Sequence, residues 1–182
     1  MIKQSFNDIA NYTGLSSIPY NIVSYLINAD DDIWKLINYN STDALSQPSL
    51  TSDEKRALIY TGNGVTTDYR VFLQGYNSDG NETAQTQLRI LTYRIKPNSL
   101  YIGKATIEIQ IISHDSLMMV GYNDILVNRV ELILEKIISI LNGKSFSGVN
   151  NIEFSTNNEG VYVKFAQLYY SGYVLRMSCN IG

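Results

Sequence analysis

The sequence predicts an α+β fold in which a mostly antiparallel sheet packs against a long helix, with a helical segment at the N-terminus. Three observations carry this expectation. Leu88–Ile95 and Thr106–Ser113 alternate at period two, as half-buried strands do. Ile125–Leu141 repeats apolar residues at helical spacing. Three shorter strand patterns, Asn150–Thr156, Val161–Gln167 and Tyr173–Cys179, then close the chain. On this pattern the 182 residues divide into a helical and loop-rich segment, residues 1–64, packing on or extending from a core of residues 65–182.

Each element has its local reason. Ile18, Ile22, Val23, Leu26 and Ile27 recur at helical spacing, and Pro19 suits a first helical position. Asp30-Asp31-Asp32 precedes Ile33-Trp34-Lys35-Leu36-Ile37, and carboxylates at a helix start cap free N–H groups and favour the dipole. Pro48 breaks the loop Ser41–Leu50, and Thr51 with Glu54 makes a capping box for a short helix over Asp53–Tyr60. Asn63-Gly64 turns the chain, Val71-Phe72-Leu73 is a strand, and the polar stretch Tyr76–Thr86 is a loop. In the first long strand Leu91, Tyr93 and Ile95 share a face, with Ile90, Thr92 and Arg94 opposite; in the second, Ile107, Ile109 and Ile111 oppose Glu108 and Gln110. Lys96–Lys104 between them is long for a hairpin and projects towards a neighbour.

The helix Ile125–Leu141 starts from a cap at Asn123 or Asp124 and ends at Asn142-Gly143. Its polar stripe is Asn128, Glu131, Glu135, Ser139 and Asn142, flanked by Arg129 and Lys136. Its buried stripe is Leu126, Val130, Ile133, Leu134, Ile137 and Leu141, widened by Leu132, Ile138 and Ile140 beyond what one sheet face covers. Asn157-Asn158-Glu159-Gly160 is a tight turn between two of the closing strands.

Composition narrows function by exclusion. Charged residues make up 17% of the chain, below the usual figure of about 25%, and 14 Tyr with many Asn supply polar surface instead. Base composition of an A/T-rich genome accounts for such a bias, and an interface role is compatible with it. The net charge is −3 and no Lys or Arg run occurs, which disfavours direct nucleic-acid binding. One Cys and one His exclude a Cys/His zinc site or a disulfide within one chain. The opening MIKQSFNDIANYTG lacks the apolar core of a signal peptide, and no run approaches the roughly 18 apolar residues that span a bilayer, so a soluble protein made in a cytoplasm is expected. The three consecutive Asp do not alternate as calcium ligands must, so no metal is expected there. His114-Asp115-Ser116 has triad residue types, but neighbours on a chain rarely point at one another and no Gly-x-Ser-x-Gly elbow exists. No catalytic residue, metal or cofactor is expected.

The segments Ala105–Ser113 (ATIEIQIIS), Asn123–Asn142 (NDILVNRVELILEKIISILN), Gly143–Phe154 (GKSFSGVNNIEF) and Gly172–Cys179 (GYVLRMSC) resemble the tail-terminator or tail-completion family of tailed double-stranded DNA bacteriophages. The resemblance covers residues 88–182 and rests on element order and the Leu141-Asn142-Gly143 turn. It implies a virion structural protein, assembled in the host cytoplasm, that forms a ring of six or twelve copies in the neck. Such a ring joins other neck, portal or tail proteins and lets DNA pass without specific binding. Trp34, Tyr76, Tyr101, Tyr169, Tyr170 and Arg176 are the expected assembly contacts. The alternatives are a monomeric carbohydrate- or protein-binding module, suggested by the Tyr-rich closing strands, and a small hydrolase or transferase depending on His114.

Overall fold

The structure, a computed structural model, describes residues 15–74, 83–97, 103–145, 150–154, 160–165 and 169–181. Capping chemistry sets the first helices where the sequence expects them. α1 (Ile18–Ala29) carries Pro19 in its first turn and buries Ile22, Val23, Leu26 and Ile27. Asp30 ends α1 in an extended conformation and caps α2 (Asp31–Asn38), accepting from the Ile33 N–H at 3.1 Å. α3 (Ser52–Ala57) opens on the expected capping box: the Glu54 N–H donates to Thr51 Oγ1, and the Thr51 N–H donates to the Glu54 carboxylate at 2.7 Å.

The strands are β1 (Val71–Phe72), β2 (Thr86–Pro97), β3 (Gly103–His114), β4 (Met119–Tyr122), β5 (Ile125–Asn128), β6 (Asn150–Glu153), β7 (Val161–Phe165) and β8 (Tyr170–Ile181), with α4 (Arg129–Leu141) between β5 and β6. Six of them form one sheet in the order β1-β2-β3-β8, with β6 and β7 sharing the far edge of β8. Among the described residues only β1 runs parallel to its neighbour, so the sheet is mixed. The last strand lies inside the sheet. Gly172 on it faces Ile112, and a Cβ there would overlap the Ile111 carbonyl oxygen, so this close approach requires glycine.

α1, α2 and α4 pack on one face of this sheet, where Leu88, Ile90, Ile107, Ile109, Leu175 and Met177 meet Leu26, Trp34, Ile37, Val130, Ile133 and Ile137 in one core. The opposite face carries Gln87, Arg89, Thr106, Glu108, Gln110 and Ser178, polar yet buried. β2 has a bulge between Thr92 and Arg94, which resets the alternation and places Ile95 opposite Ala105 on the helix side.

The long helix of the sequence reading is shorter than expected. α4 has 13 residues and starts at Arg129, because Ile125–Asn128 is strand β5. Asn123 and Asp124, at φ 49° and 64°, form a tight turn between β4 and β5 and do not cap a helix. The cap is Asn128, whose side-chain oxygen accepts from the Val130 and Glu131 N–H groups at 2.9 and 3.2 Å. Leu126, expected on the buried stripe, is exposed on the hairpin, whereas Arg129, expected beside the polar stripe, is fully buried.

Polar contacts join the elements. The Arg129 guanidinium donates to the carbonyls of Leu36, Tyr39, Ser41 and Leu117 at 2.6–2.8 Å. Lys136 on α4 pairs with Asp32 at 2.8 Å and Asp30 at 3.2 Å, and Lys55 pairs with Asp31 at 2.5 Å while donating to the Ile27 carbonyl. The three consecutive Asp therefore serve helix capping and inter-helix pairing.

Candidate assembly surfaces

The β4–β5 hairpin is held rigidly at its base. Val120 is buried in the core, the Gly121 N–H donates to the Thr42 carbonyl at 2.8 Å, and the Arg129 N–H donates to Met118 at 2.7 Å. Cross-strand pairing joins Tyr122 to Ile125 and Gly121 to Leu126. The hairpin's large apolar side chains are bare, with Ile125 61% exposed, Leu126 63% and Met119 45%, and its turn carries the exposed polar residues Asn123 and Asp124. Large aliphatic side chains grouped on an anchored hairpin are a feature of contact surfaces. An open cleft of about 720 Å³ lies beside them, lined also by Asp32, Asp43, Asp124 and Leu45. Ser41 and Gln47 bond to the Asp43 carboxylate and hold its pKa below the ordinary carboxylate value.

At the other end of the sheet β2 and β3 stay in register to Pro97 and Gly103, and β8 pairs with β3 as far as Gly103. Arg94, Ile95, Lys96 and Pro97 are exposed there, and Lys104 is half-buried. Between Glu82 and Glu108 the chain has no acidic residue. Lys96 and Lys104 are direct cross-strand partners, an unfavourable like-charge pair, and Arg94 lies on the same face. β1 covers only Leu88 and Arg89, so among the described residues the outer edge of β2 beyond them has no strand partner. The bulge, Lys96 and Pro97 all discourage indiscriminate pairing along that edge.

Between these ends, the polar sheet face centres on Glu108. Arg176 reaches its carboxylate at 2.8 and 2.9 Å, Gln110 donates to the other oxygen at 2.6 Å, and the Tyr162 hydroxyl donates at 3.4 Å. The Arg176 guanidinium lies 3.8 Å from the Tyr93 ring centroid and 5.0 Å from that of Tyr162. Burial alone would lower the Arg176 pKa, but the bonds to Glu108 outweigh it and raise it. Burial, then the charge of Glu108, raises that of Tyr162.

The residues expected as contacts are scattered. Trp34 is fully buried, with Nε1 donating to the Leu26 carbonyl at 2.9 Å, so it has no surface to offer a neighbour. Tyr76 and Tyr101 lie outside the described residues. Tyr169 is 67% exposed at φ 70°, next to the His114 ring. Tyr170 is buried, its hydroxyl donating to Thr83 at 2.6 Å, and Arg176 is the partly buried partner of Glu108. The sequence reading did not single out Met119, Ile125 and Leu126. The signal was present, since Asn123-Asp124 between two apolar stretches is a hairpin turn as well as a helix start.

His114 and Ser116 do point at one another, contrary to the expectation for chain neighbours: Nδ1 lies 2.8 Å from the hydroxyl and also accepts from the Ser116 N–H. The pair closes the 3-10 turn Asp115–Leu117. A relay would need a carboxylate on the far imidazole nitrogen, but Asp115 instead accepts from the Ser171 hydroxyl at 3.3 Å. Among the described residues no group of three or more metal-ligating side chains assembles, and no helix is long and apolar enough to cross a membrane. A family model described as YomW matches residues 30–179, and no curated protein matches the chain.

Proposed function

The chain belongs to the YomW family, a name from a Bacillus phage (SPbeta-like) region, and from this phage association we propose that it is a virion structural protein whose copies close into a ring in the neck, joining head and tail. The observation that carries this reading is the presence of two unlike exposed surfaces: the β4–β5 hairpin with bare Ile125 and Leu126 follows the end of β3 at His114, and exposed Arg94 and Lys96 on the edge strand β2 lie beside its start at Gly103. Unlike surfaces pair head to tail, and a head-to-tail contact that returns on itself makes a ring. The excess of carboxylates, net charge −3, suits a lumen that repels DNA and lets it pass without sticking. Neck, portal or tail proteins above and below are the partners, and no cofactor takes part.

Light scattering over a concentration series, with negative-stain imaging of the same sample, tests this. Closed rings of six or twelve subunits are expected. A monomer at every concentration counts against the ring and in favour of a monomeric carbohydrate- or protein-binding module.

A further inference from the structure

We infer that residues 1–14 dock along the outer edge of β2 in their own molecule, filling an apolar groove between that edge and the start of α1. This inference stands apart from the ring reading. Three observations converge on the groove. Beyond Leu88 and Arg89 the outer edge of β2 has no strand partner among the described residues, so a row of backbone N–H and C=O groups faces outwards. An open groove of about 370 Å³ runs beside that edge, and its walls include Leu15, Pro19, Leu73, Leu91, Thr92 and Ile95. The Thr92 hydroxyl in this wall is buried and has no hydrogen-bond partner. A buried hydroxyl left unpaired is costly, and a backbone laid in the groove supplies the missing bond. The occupant follows from where the described chain begins. Leu15 stands in the groove wall, so residues 1–14 join the described chain at the groove itself. Extended, they span about 46 Å, against roughly 20 Å for the edge from Ile90 to Ile95, which leaves length for the chain to turn back. A tethered segment also meets the groove at a far higher effective concentration than another copy does. Its chemistry matches the edge. Ile2, Phe6 and Ile9 are apolar, and Asp8, the only charged residue between Lys3 and Asp30, is opposite in sign to Arg94 and Lys96, which β2 exposes. A chain added to a sheet edge takes its affinity from main-chain hydrogen bonds and its specificity from pockets such as this one.

Hydrogen exchange of the full chain, read by mass spectrometry over β2, tests the docking. A variant carrying Phe6→Asp and Ile9→Asp is expected to exchange its outward-pointing β2 amides about tenfold faster than wild type, while α2 and α4 keep their wild-type protection and so show that the fold is intact. A synthetic peptide of residues 1–14 added to that variant should restore the slow exchange, and the same peptide carrying both Asp substitutions should not. Protection of the wild-type edge should be the same at every protein concentration. Exchange over β2 that is equal in wild type and variant overturns the inference, as does lost protection that the peptide fails to restore. Protection that fades on dilution assigns the groove to another copy and overturns docking within one molecule. Should the double variant unfold throughout, Phe6→Ala alone is read in the same way, with the same supporting and contrary results. Since the exchange is read on single subunits at high dilution as well, failure of the ring reading and failure of this one are told apart.

Discussion

Arg129 places a guanidinium where no solvent reaches, and carbonyl oxygens compensate it. Burial pushes its pKa down to about 10, still far above neutrality, so the group is a buried cation at working pH. Its four acceptors come from the end of α2, the loop after it and the turn before β4, so one side chain ties three segments to the start of α4. Replacing Arg129 with Met should cost about 3 kcal/mol or more in a denaturant melt, because buried carbonyls lose their donors. A loss below about 1 kcal/mol would mean that water takes over those bonds. Two ion pairs give the stability profile its edges. Burial pulls the Lys136 pKa down, but bonds and charges from Asp32 and Asp30 outweigh it and raise it above the ordinary 10.5. Its contribution is therefore complete below pH 10.5 and is lost as pH rises through the folded value. The bond from Lys55 lowers the Asp31 pKa below 3.8, so that contribution is present above pH 3.8 and is lost as pH falls through the folded value. Lys136→Met should flatten the alkaline limb of a stability–pH curve, and Asp31→Asn the acid limb. The acid change should be the smaller, since Asp31 is half exposed.

At the scale of elements, caps and turns were legible and one boundary was not. Asp30 and the Thr51–Glu54 box act where the sequence puts them, because capping involves only neighbours along the chain. Ile125–Asn128 fits a helical stripe and a short strand equally well, and the ladder with Met119–Tyr122 decides for the strand. The turn can be tested directly. Asp124 sits at φ 64°, where glycine is unstrained and follows asparagine in the most favoured two-residue turn. Asp124→Gly should raise stability by about 0.5–1 kcal/mol in a thermal melt. A helix reaching back to Ile125 would gain nothing from that change. The interface signal was weaker still. Tyr and Trp content pointed to Trp34 and Tyr170, which the fold buries, while the bare aliphatic residues of the hairpin look like core in any sequence pattern.

For the whole molecule, the proposed ring makes exposed apolar residues matter for association and little for folding. Changing Ile125 and Leu126 together to Asp should shift the melt by no more than about 0.5 kcal/mol each, while abolishing oligomers seen by light scattering. An equal loss of fold and assembly would mean that the hairpin is core. The sequence by itself determined the α+β class, the paired long strands and the capped N-terminal helices. Periodicity and capping depend on residues a few positions apart. Only the tertiary structure decided that β8 lies between β3 and the β6–β7 edge, and that Arg129 is buried and Leu126 bare. Those outcomes depend on groups dozens of residues apart, whose meeting no local pattern encodes.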